Sequence, residues 1–300
     1  MSEQAQIKNI SKTIHSHFKY FFGPKYFKIN SISLVYKWER KSNTISLYNV
    51  KQNVFNSFNI SETINGSAET IECNKHIYAI GGNLVSTVID INTSHKTSTI
   101  AADMLEPRFL HGLTIYKRAI YSIGGSKGDY KANVISACEK YSISQNKWEK
   151  IPNLQINRSL CATFCIKSHI YSAGGSNSES MDLSSIERMN LNTNIKWEVL
   201  RTNGSIPPNR CLHGIAISNS EAIIFGGQMT KTDGSEQFTY SLKEVGDSAV
   251  VAKKCLENLG LWCWSTCSPM KVDGIVYEVE CYERNLYCYS IAANKWKLLL

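Results

Sequence analysis

The sequence predicts an all-β protein built from six copies of a four-stranded antiparallel unit, closed into a ring. Three observations predict it: a six-residue phrase with paired glycines, an aromatic pair that follows the phrase, and an arginine that precedes it. The first glycine, or the residue that replaces it, falls at positions 39, 81, 124, 174, 226 and 280, so that the steps are 42, 43, 50, 52 and 54 residues. Such a period is typical of repeat architectures.

The glycine phrase predicts a buried strand that ends at a close backbone approach, because β-branched and aromatic residues precede a pair without side chains. The copies are 77–82 (IYAIGG), 120–125 (IYSIGG), 170–175 (IYSAGG) and 222–227 (AIIFGG), with worn copies at 35–40 and 276–281. The paired glycines, to which we assign the contact between neighbouring units, are Gly81, Gly82, Gly124, Gly125, Gly174, Gly175, Gly226 and Gly227.

The aromatic pair predicts a hairpin formed by the third and fourth strands of each unit. A polar turn separates Tyr141 from Trp148 and Tyr289 from Trp296, seven residues apart in both cases, and such turns are typical of hairpins. Met189 and Trp197 form the same pair with one residue inserted, and Tyr48 and Phe55 form it in the first unit. We expect these aromatic side chains to fill the wedge between neighbouring sheets.

The arginine signal has a constant spacing. Arg108, Arg158 and Arg210 each precede their glycine pair by 16 residues. The first two strands of these three units therefore have equal lengths, and the variation in unit length lies after the glycines, in the loop between strands two and three.

Four short antiparallel strands in about 40–50 residues are typical of a propeller blade, in which radial closure protects the sheet edges. The glycine pair followed by the spaced Tyr and Trp resembles the kelch repeat, over residues 25–300. The resemblance implies a six-bladed kelch propeller whose first and last blades are degenerate. We expect residues 1–24 to form an N-terminal extension, which could be either a short helix or a strand that closes the ring.

Composition predicts a soluble, cytoplasmic protein, which we also expect to be a monomer. The chain is 43% hydrophobic and 19% charged, without a membrane-length apolar run or a secretory leader, so we expect the ten cysteines to be reduced. The formal charge is +8, of which residues 1–60 contribute +7, from nine Lys/Arg and two Glu. A basic stretch of this kind is usually a solvated face, and we expect neither a nucleic-acid nor a membrane partner.

No motif predicts catalysis. The sequence lacks a nucleophile elbow, a P-loop, a dinucleotide-binding glycine pattern and a zinc-protease helix, and we expect no catalytic residue, metal or cofactor. Some kelch propellers are copper oxidases, which need a Tyr, His and cross-linked Cys cluster. Of the seven His, only His111 and His213 occupy matched positions, so an oxidase is the weakest alternative.

The remaining function is recognition of a protein partner. In equivalent blades, Arg108, Arg158 and Arg210 would form an arc at the loop-rich mouth of the channel. The resemblance to kelch domains of BTB–BACK–kelch ubiquitin-ligase adaptors implies that this arc binds an acidic or phosphorylated peptide, since Arg takes carboxylate or phosphate bidentately. Other residues expected at this mouth are the loop residues Asn83, Ser126, Ser176 and Gln228, with His111 and His213 lining the channel.

Two alternatives stay open. The arginines and histidines could instead be satisfied by backbone carbonyls between blades. The chain could also be a scaffold on actin or other filaments that uses the long insert at 228–242. Only about 24 residues precede the first unit, which leaves no room for BTB or BACK domains, so we expect the chain to recruit or compete with such adaptors.

Overall fold

The computed structural model describes residues 33–36, 41–49, 54–128, 133–179, 181–193, 196–228, 239–255, 268–279 and 286–299. These residues form 24 strands and no helix, which confirms the all-β class. Within the same ranges, no helical segment has the length and apolar character to cross a membrane. The extension at 1–24 lies outside them.

Five antiparallel sheets form the blades, each containing one glycine phrase or its worn copy. Blade 1 consists of β4 (Glu69–Cys73), β5 (His76–Ile80), β6 (Val88–Asn92) and β7 (Thr97–Ala101). Blade 2 consists of β8 (Gly112–Tyr116), β9 (Ala119–Ile123), β10 (Cys138–Ser142) and β11 (Lys147–Ile151). Blade 3 consists of β12 (Ala162–Ile166), β13 (His169–Ala173), β14 (Ile186–Asn190) and β15 (Trp197–Val199).

The last two blades follow the same strand order. Blade 4 consists of β17 (Arg210–Ala216), β18 (Glu221–Gln228), β19 (Thr239–Val245) and β20 (Ser248–Cys255), with the short β16 (Thr202–Asn203) added in parallel to β20. Blade 5 consists of β21 (Met270–Val272), β22 (Ile275–Val279), β23 (Leu286–Ser290) and β24 (Lys295–Leu298).

The first unit forms a separate three-stranded sheet, which consists of β1 (Ser33–Tyr36), β2 (Lys41–Asn49) and β3 (Val54–Asn65). It packs on blade 1, where the buried Ile45 and Leu47 share a core with Ile77 and Ile89.

The described residues form five blades, so the expected count of six is wrong. The innermost strands β4, β8, β12, β17 and β21 all contribute to the wall of one central channel of about 280 Å³. The ring closes directly from blade 5 to blade 1, because the Ser268 amide donates to the Thr70 carbonyl at 2.9 Å. This contact leaves no gap among the inner strands, so the first sheet packs against a blade instead of taking a place in the ring.

The predicted hairpins of the third and fourth strands are confirmed in the register of the sheets. Tyr141 lies opposite Trp148 in blade 2, and the equivalent pairs are Met189 with Trp197 and Tyr289 with Trp296. In the first sheet Tyr48 lies opposite Phe55, in its second and third strands.

The paired glycines lie where blades touch, as the sequence predicts. A Cβ on Gly124, whose φ is +63°, would lie 2.3 Å from the Arg158 carbonyl oxygen of the next blade. Gly125 N–H donates to that same oxygen at 2.9 Å. The equivalent bonds from Gly82 to Arg108 and from Gly175 to Asn209 are 2.9 and 2.8 Å long.

These repeated bonds orient the ring. They place the glycine end of each second strand, with the loops around it, at one end of the channel, which we call the loop face. The hairpin turns between first and second strands are then at the opposite end, the turn face; they are residues 74–75, 117–118, 167–168, 217–220 and 273–274.

Candidate functional site

Arg108 directs its guanidinium into blade 2. Nη1 donates to the carbonyls of Gly124 and Ala137 at 3.1 and 2.6 Å. Nη2 donates to Glu139 Oε1 at 2.5 Å, in an ion pair whose two side chains are both fully buried. The other Glu139 oxygen accepts the Leu105 amide at 2.8 Å, so the buried carboxylate is held on both sides.

Arg158 repeats this arrangement in blade 3. Nη1 donates to the carbonyls of Gly174 and Ser185 at 2.9 and 3.0 Å, and Nη2 donates to Glu187 Oε1 at 2.7 Å. Glu187 Oε2 accepts the Gln155 amide at 2.7 Å. The exposed cationic rim is therefore wrong for Arg108 and Arg158. Both are 0% exposed, and their charges are compensated inside the blade by an acid and by carbonyls.

Arg210 is the first residue of β17, where its backbone pairs with Gln228, and its side chain is outside the described residues. Blade 4 has no acid at the equivalent position. In blades 2 and 3, the glutamate lies opposite the residue that stands two positions before the glycine pair: Glu139 opposite Ser122, and Glu187 opposite Ser172. In blade 4 the residue at that position is Ile224, and Tyr240 lies opposite it.

A second sequence signal would have identified the buried pairs. In blades 2 and 3 the arginine is followed by its glutamate after 31 and 29 residues. The acid therefore occurs in the same blades as the buried cations. Sequence reasoning left backbone carbonyls open as partners of the arginines, and Arg108 and Arg158 do bond to carbonyls, but it did not look for an acid beside them.

The two matched histidines do not line the channel wall, contrary to expectation. His111 is buried between the glycine pairs of blades 1 and 2, close to Gly81 and Gly125. Burial, aided by the charge of Arg108, lowers the pKa of His111 to about 3, so the ring is neutral at physiological pH.

His213 lies at the contact of blades 4 and 5. Its ring stacks on Phe225 with centroids 6.0 Å apart, and Nδ1 lies 3.4 Å from Glu278 Oε1. Burial lowers the pKa of His213 to about 4. Both histidines therefore act as packing groups between blades.

The loop residues divide into exposed and buried positions. Asn83 is exposed on the loop face, as expected. Ser126 and Ser176 are buried, and their backbones form bridges with Phe109 and Ser159, so their expected polar contacts with a partner are wrong. The side chain of Gln228 is outside the described residues, as is 229–238 of the long insert; 239–242 belong to β19.

The described part of the channel wall contains one thiol, that of Cys165. Burial raises the pKa of the Cys165 thiol in this wall to about 12, which keeps it protonated and unreactive as a nucleophile. Among the described residues, no three or more His, Cys, Asp or Glu side chains come together as metal ligands.

Comparison with known proteins decides the family. The profile described as "KLHDC2/KLHL20/DRC7 Kelch-repeats domain" matches residues 11–227, well over half of the chain. This chain belongs to that kelch-repeat family.

The individual kelch proteins that match this chain have low sequence identity to it and align over less than half of its length. "Kelch repeat and BTB domain-containing protein 2" of cowpox virus (strain GRI-90 / Grishak) is 29% identical over 45% of this chain and 25% of its own length. The horsepox virus protein of the same name has the same identity and shares. "Kelch-like protein 41a" of Danio rerio is 27% identical over 35% of this chain and 18% of its own length. The matches thus span a quarter or less of these relatives.

On this kelch propeller, three of the eight large apolar residues that are exposed in the described part of the chain lie on the loop face. Leu84 follows the glycine pair of blade 1, Leu105 lies between blades 1 and 2, and Met181 lies in the glycine loop of blade 3. Leu84 adopts a positive φ of 60° and approaches Gly128 of the neighbouring loop. Sequence reasoning missed these residues because exposure of a single loop side chain has no periodic signal.

Proposed function

We propose that this chain is a non-enzymatic, monomeric and cytoplasmic protein-interaction module that binds a segment of a partner protein at the loop face. The exposed apolar side chains of Leu84, Leu105 and Met181 carry this proposal, because they lie on loops at one face of the propeller, and binding residues concentrate on loops that a rigid scaffold positions. Kelch propellers generally bind proteins, which supports the same class of function.

The chemistry of the bound segment follows from what the loop face exposes. Arg108 and Arg158 are buried and paired, so they give no reason for this face to prefer an acidic or phosphorylated peptide. Leucine and methionine contacts instead favour a segment with apolar anchors, ringed by polar contacts such as those of Asn83.

The biological setting rests on the resemblance to BTB–BACK–kelch adaptors. We propose that the module acts beside ubiquitin-ligase adaptors, either by recognising substrates or by competing for them. The names of the viral and fish relatives contain kelch and, for the viral proteins, BTB, which supports this setting.

The test compares two triple variants of matched exposure. The loop-face variant, Leu84→Ser with Leu105→Ser and Met181→Ser, alters side chains that are 71%, 49% and 52% exposed. The control, Ile100→Ser with Val199→Ser and Leu298→Ser, alters outer-strand side chains that are 67%, 49% and 48% exposed.

Partners are first identified by proximity labelling with the wild-type chain. The affinity of the purified partner is then measured for all three proteins. We expect the loop-face variant to weaken binding at least about thirtyfold, as loss of an interface hot spot does, and the control to bind like the wild type. Equal affinity of the two variants would refute a partner site on the loop face.

A further inference from the structure

Cations occupy the inner hairpin turns of three consecutive blades. Lys75 lies in the turn of blade 1, Lys117 and Arg118 form the turn of blade 2, and Lys167 begins the turn of blade 3. All four side chains are exposed. They are called the turn-face cations below.

The turn-face cations lie at one end of the ring, around the channel opening opposite the loop face. Each turn follows an innermost strand, and β4, β8 and β12 all contribute to the same channel wall. The charge of Arg118 also acts on the Cys73 thiol at the end of β4, although burial raises the pKa of that thiol overall. Arg118 of blade 2 therefore lies near the end of β4 in blade 1, where the Lys75 turn begins.

The backbone at these positions is unfavourable for their side chains. Lys75, Lys117, Arg118 and Lys167 have φ of 66°, 45°, 62° and 50°. Asn and Gly are the residues that suit such hairpin turns, and Gly274 does occupy the equivalent turn of blade 5. The backbone conformation of these turns therefore does not explain why lysine and arginine occupy them.

Most of this charge is uncompensated. Within the described part of the chain, no ion pair is formed by Lys75, Lys117 or Arg118. Lys117 lies over the Tyr116 ring, and Lys167 Nζ is 3.7 Å from Glu244 Oε2.

The rest of the turn face differs from these three blades. The inner turn of blade 4, residues 217–220, has no charged residue, and that of blade 5 contains Asp273. Lys271 of blade 5 is engaged, since its amine donates to the Ile217 carbonyl at 2.7 Å. In the channel wall, burial raises the pKa of Glu72, while the hydrogen bond that its carboxylate accepts from the Lys75 backbone amide acts in the opposite direction. The positive charge is thus confined to a short arc.

We propose that the turn-face cations bind an acidic segment of a partner protein, laid across blades 1 to 3. Carboxylates complement the arc in sign, and the arc ends at the uncharged turn of blade 4. A long polyanion would continue towards Asp273, which repels it. Nucleic acid is further disfavoured because no Phe, Tyr or Trp side chain among the described residues is exposed for base stacking. This site is distinct from the loop face and does not depend on it.

The turns themselves allow a clean test. In Lys75→Gly with Lys117→Asn and Arg118→Gly, the turns of blades 1 and 2 both become Asn-Gly, the preferred sequence for this hairpin. The variant loses three charges and should be at least as heat-stable as the wild type. The matched control, Lys96→Gln with Lys147→Gln and Lys150→Gln, removes three exposed charges from the outer strands and their turns.

The probe is a fluorescein-labelled oligoglutamate peptide, titrated by fluorescence anisotropy at low and at physiological ionic strength. We expect the wild type and the control to agree within about twofold, and the turn variant to bind at least about tenfold more weakly. Added salt should weaken binding to the wild type more than to the turn variant. Lys75→Gln with Arg118→Gln is a second neutral variant, and it should reproduce the loss.

Three outcomes would overturn the proposal. The wild type could fail to bind the peptide, or the control could lose as much affinity as the turn variant. An oligothymidylate of the same charge could bind more tightly than the peptide with the same sensitivity to the turn variant, which would assign the arc to nucleic acid. The loop-face variant should still bind oligoglutamate, so the two proposed sites can fail separately.

Discussion

At the scale of the residue, the role of an arginine depends on which groups its guanidinium contacts. Arg158 and Glu187 form a buried pair in blade 3, with further bonds to carbonyls and amides. Such a pair contributes less net stability than its geometry suggests, because both charges lose their hydration, but removal of one partner is costly. By contrast, Arg118 is exposed at a hairpin turn.

The buried pair predicts a large asymmetry between arginine substitutions. Arg158→Ala should lower the free energy of unfolding by about 3–5 kcal/mol, because Glu187 stays buried without its cation. Arg118→Ala should change it by less than about 0.5 kcal/mol, since this side chain lies in water. Urea unfolding measures both.

A double variant separates charge from packing. Arg158→Met with Glu187→Leu should recover much of the stability lost in Arg158→Ala, because no uncompensated charge remains. If Arg158→Ala were as stable as the wild type and bound its partner more weakly, Arg158 would belong to an exposed rim after all.

At the scale of the element, a tryptophan in the outer hairpin joins blades 2, 3 and 5 each to the blade before it. The indole N–H groups of Trp148 and Trp197 donate to the carbonyls of Ala102 and Pro152, at 3.0 and 2.9 Å. In blade 5, Trp296 donates to Thr239 Oγ1 at 2.7 Å. Each indole therefore packs between two blades, and its N–H also donates a hydrogen bond to an oxygen of the preceding blade or of the segment that follows it.

This dual role predicts a graded response at Trp197. Trp197→Phe keeps most of the apolar packing but loses the bond to Pro152, so we expect a loss of about 1–3 kcal/mol in unfolding free energy. Trp197→Ala should cost about 3–5 kcal/mol, because it also leaves a cavity.

Val199→Ala is the control, since Val199 lies in the same strand but is exposed. A Trp197→Ala protein as stable as this control would show that the wedge between blades 2 and 3 is not filled by the indole. Chemical denaturation at a single pH is sufficient for the comparison.

At the scale of the whole molecule, a hydrogen bond between distant parts of the described chain closes the ring. The Ser268 amide donates to the Thr70 carbonyl, and these residues are almost 200 positions apart. A propeller without this contact would leave the inner edge of β4 unprotected.

Ring closure is tested with two substitutions at Ser268. Ser268→Pro removes the donor and should lower stability by about 1–3 kcal/mol, with faster amide exchange in β4. Ser268→Ala keeps the amide and should behave like the wild type. Similar exchange in β4 for both variants would contradict closure through this bond.

The local features of the kelch repeat could be predicted because they are set by neighbours in sequence. A hairpin places Tyr141 opposite Trp148 through the turn between them, and the glycine pair marks where the next blade approaches. Strand identity, the hairpins and the positions of the glycines therefore followed from spacing alone.

The amino-acid sequence by itself determined the repeat, the all-β class and the aromatic wedges, since each arises from contacts within one unit or with the next. Only the tertiary structure decided that five blades close the ring, that Arg108 and Arg158 are buried, and that exposed cations gather on the turn face. The physical reason is that closure, burial and charge compensation depend on which distant segments meet, and Thr70 with Ser268, or Arg158 with Glu187, meet only in the folded ring.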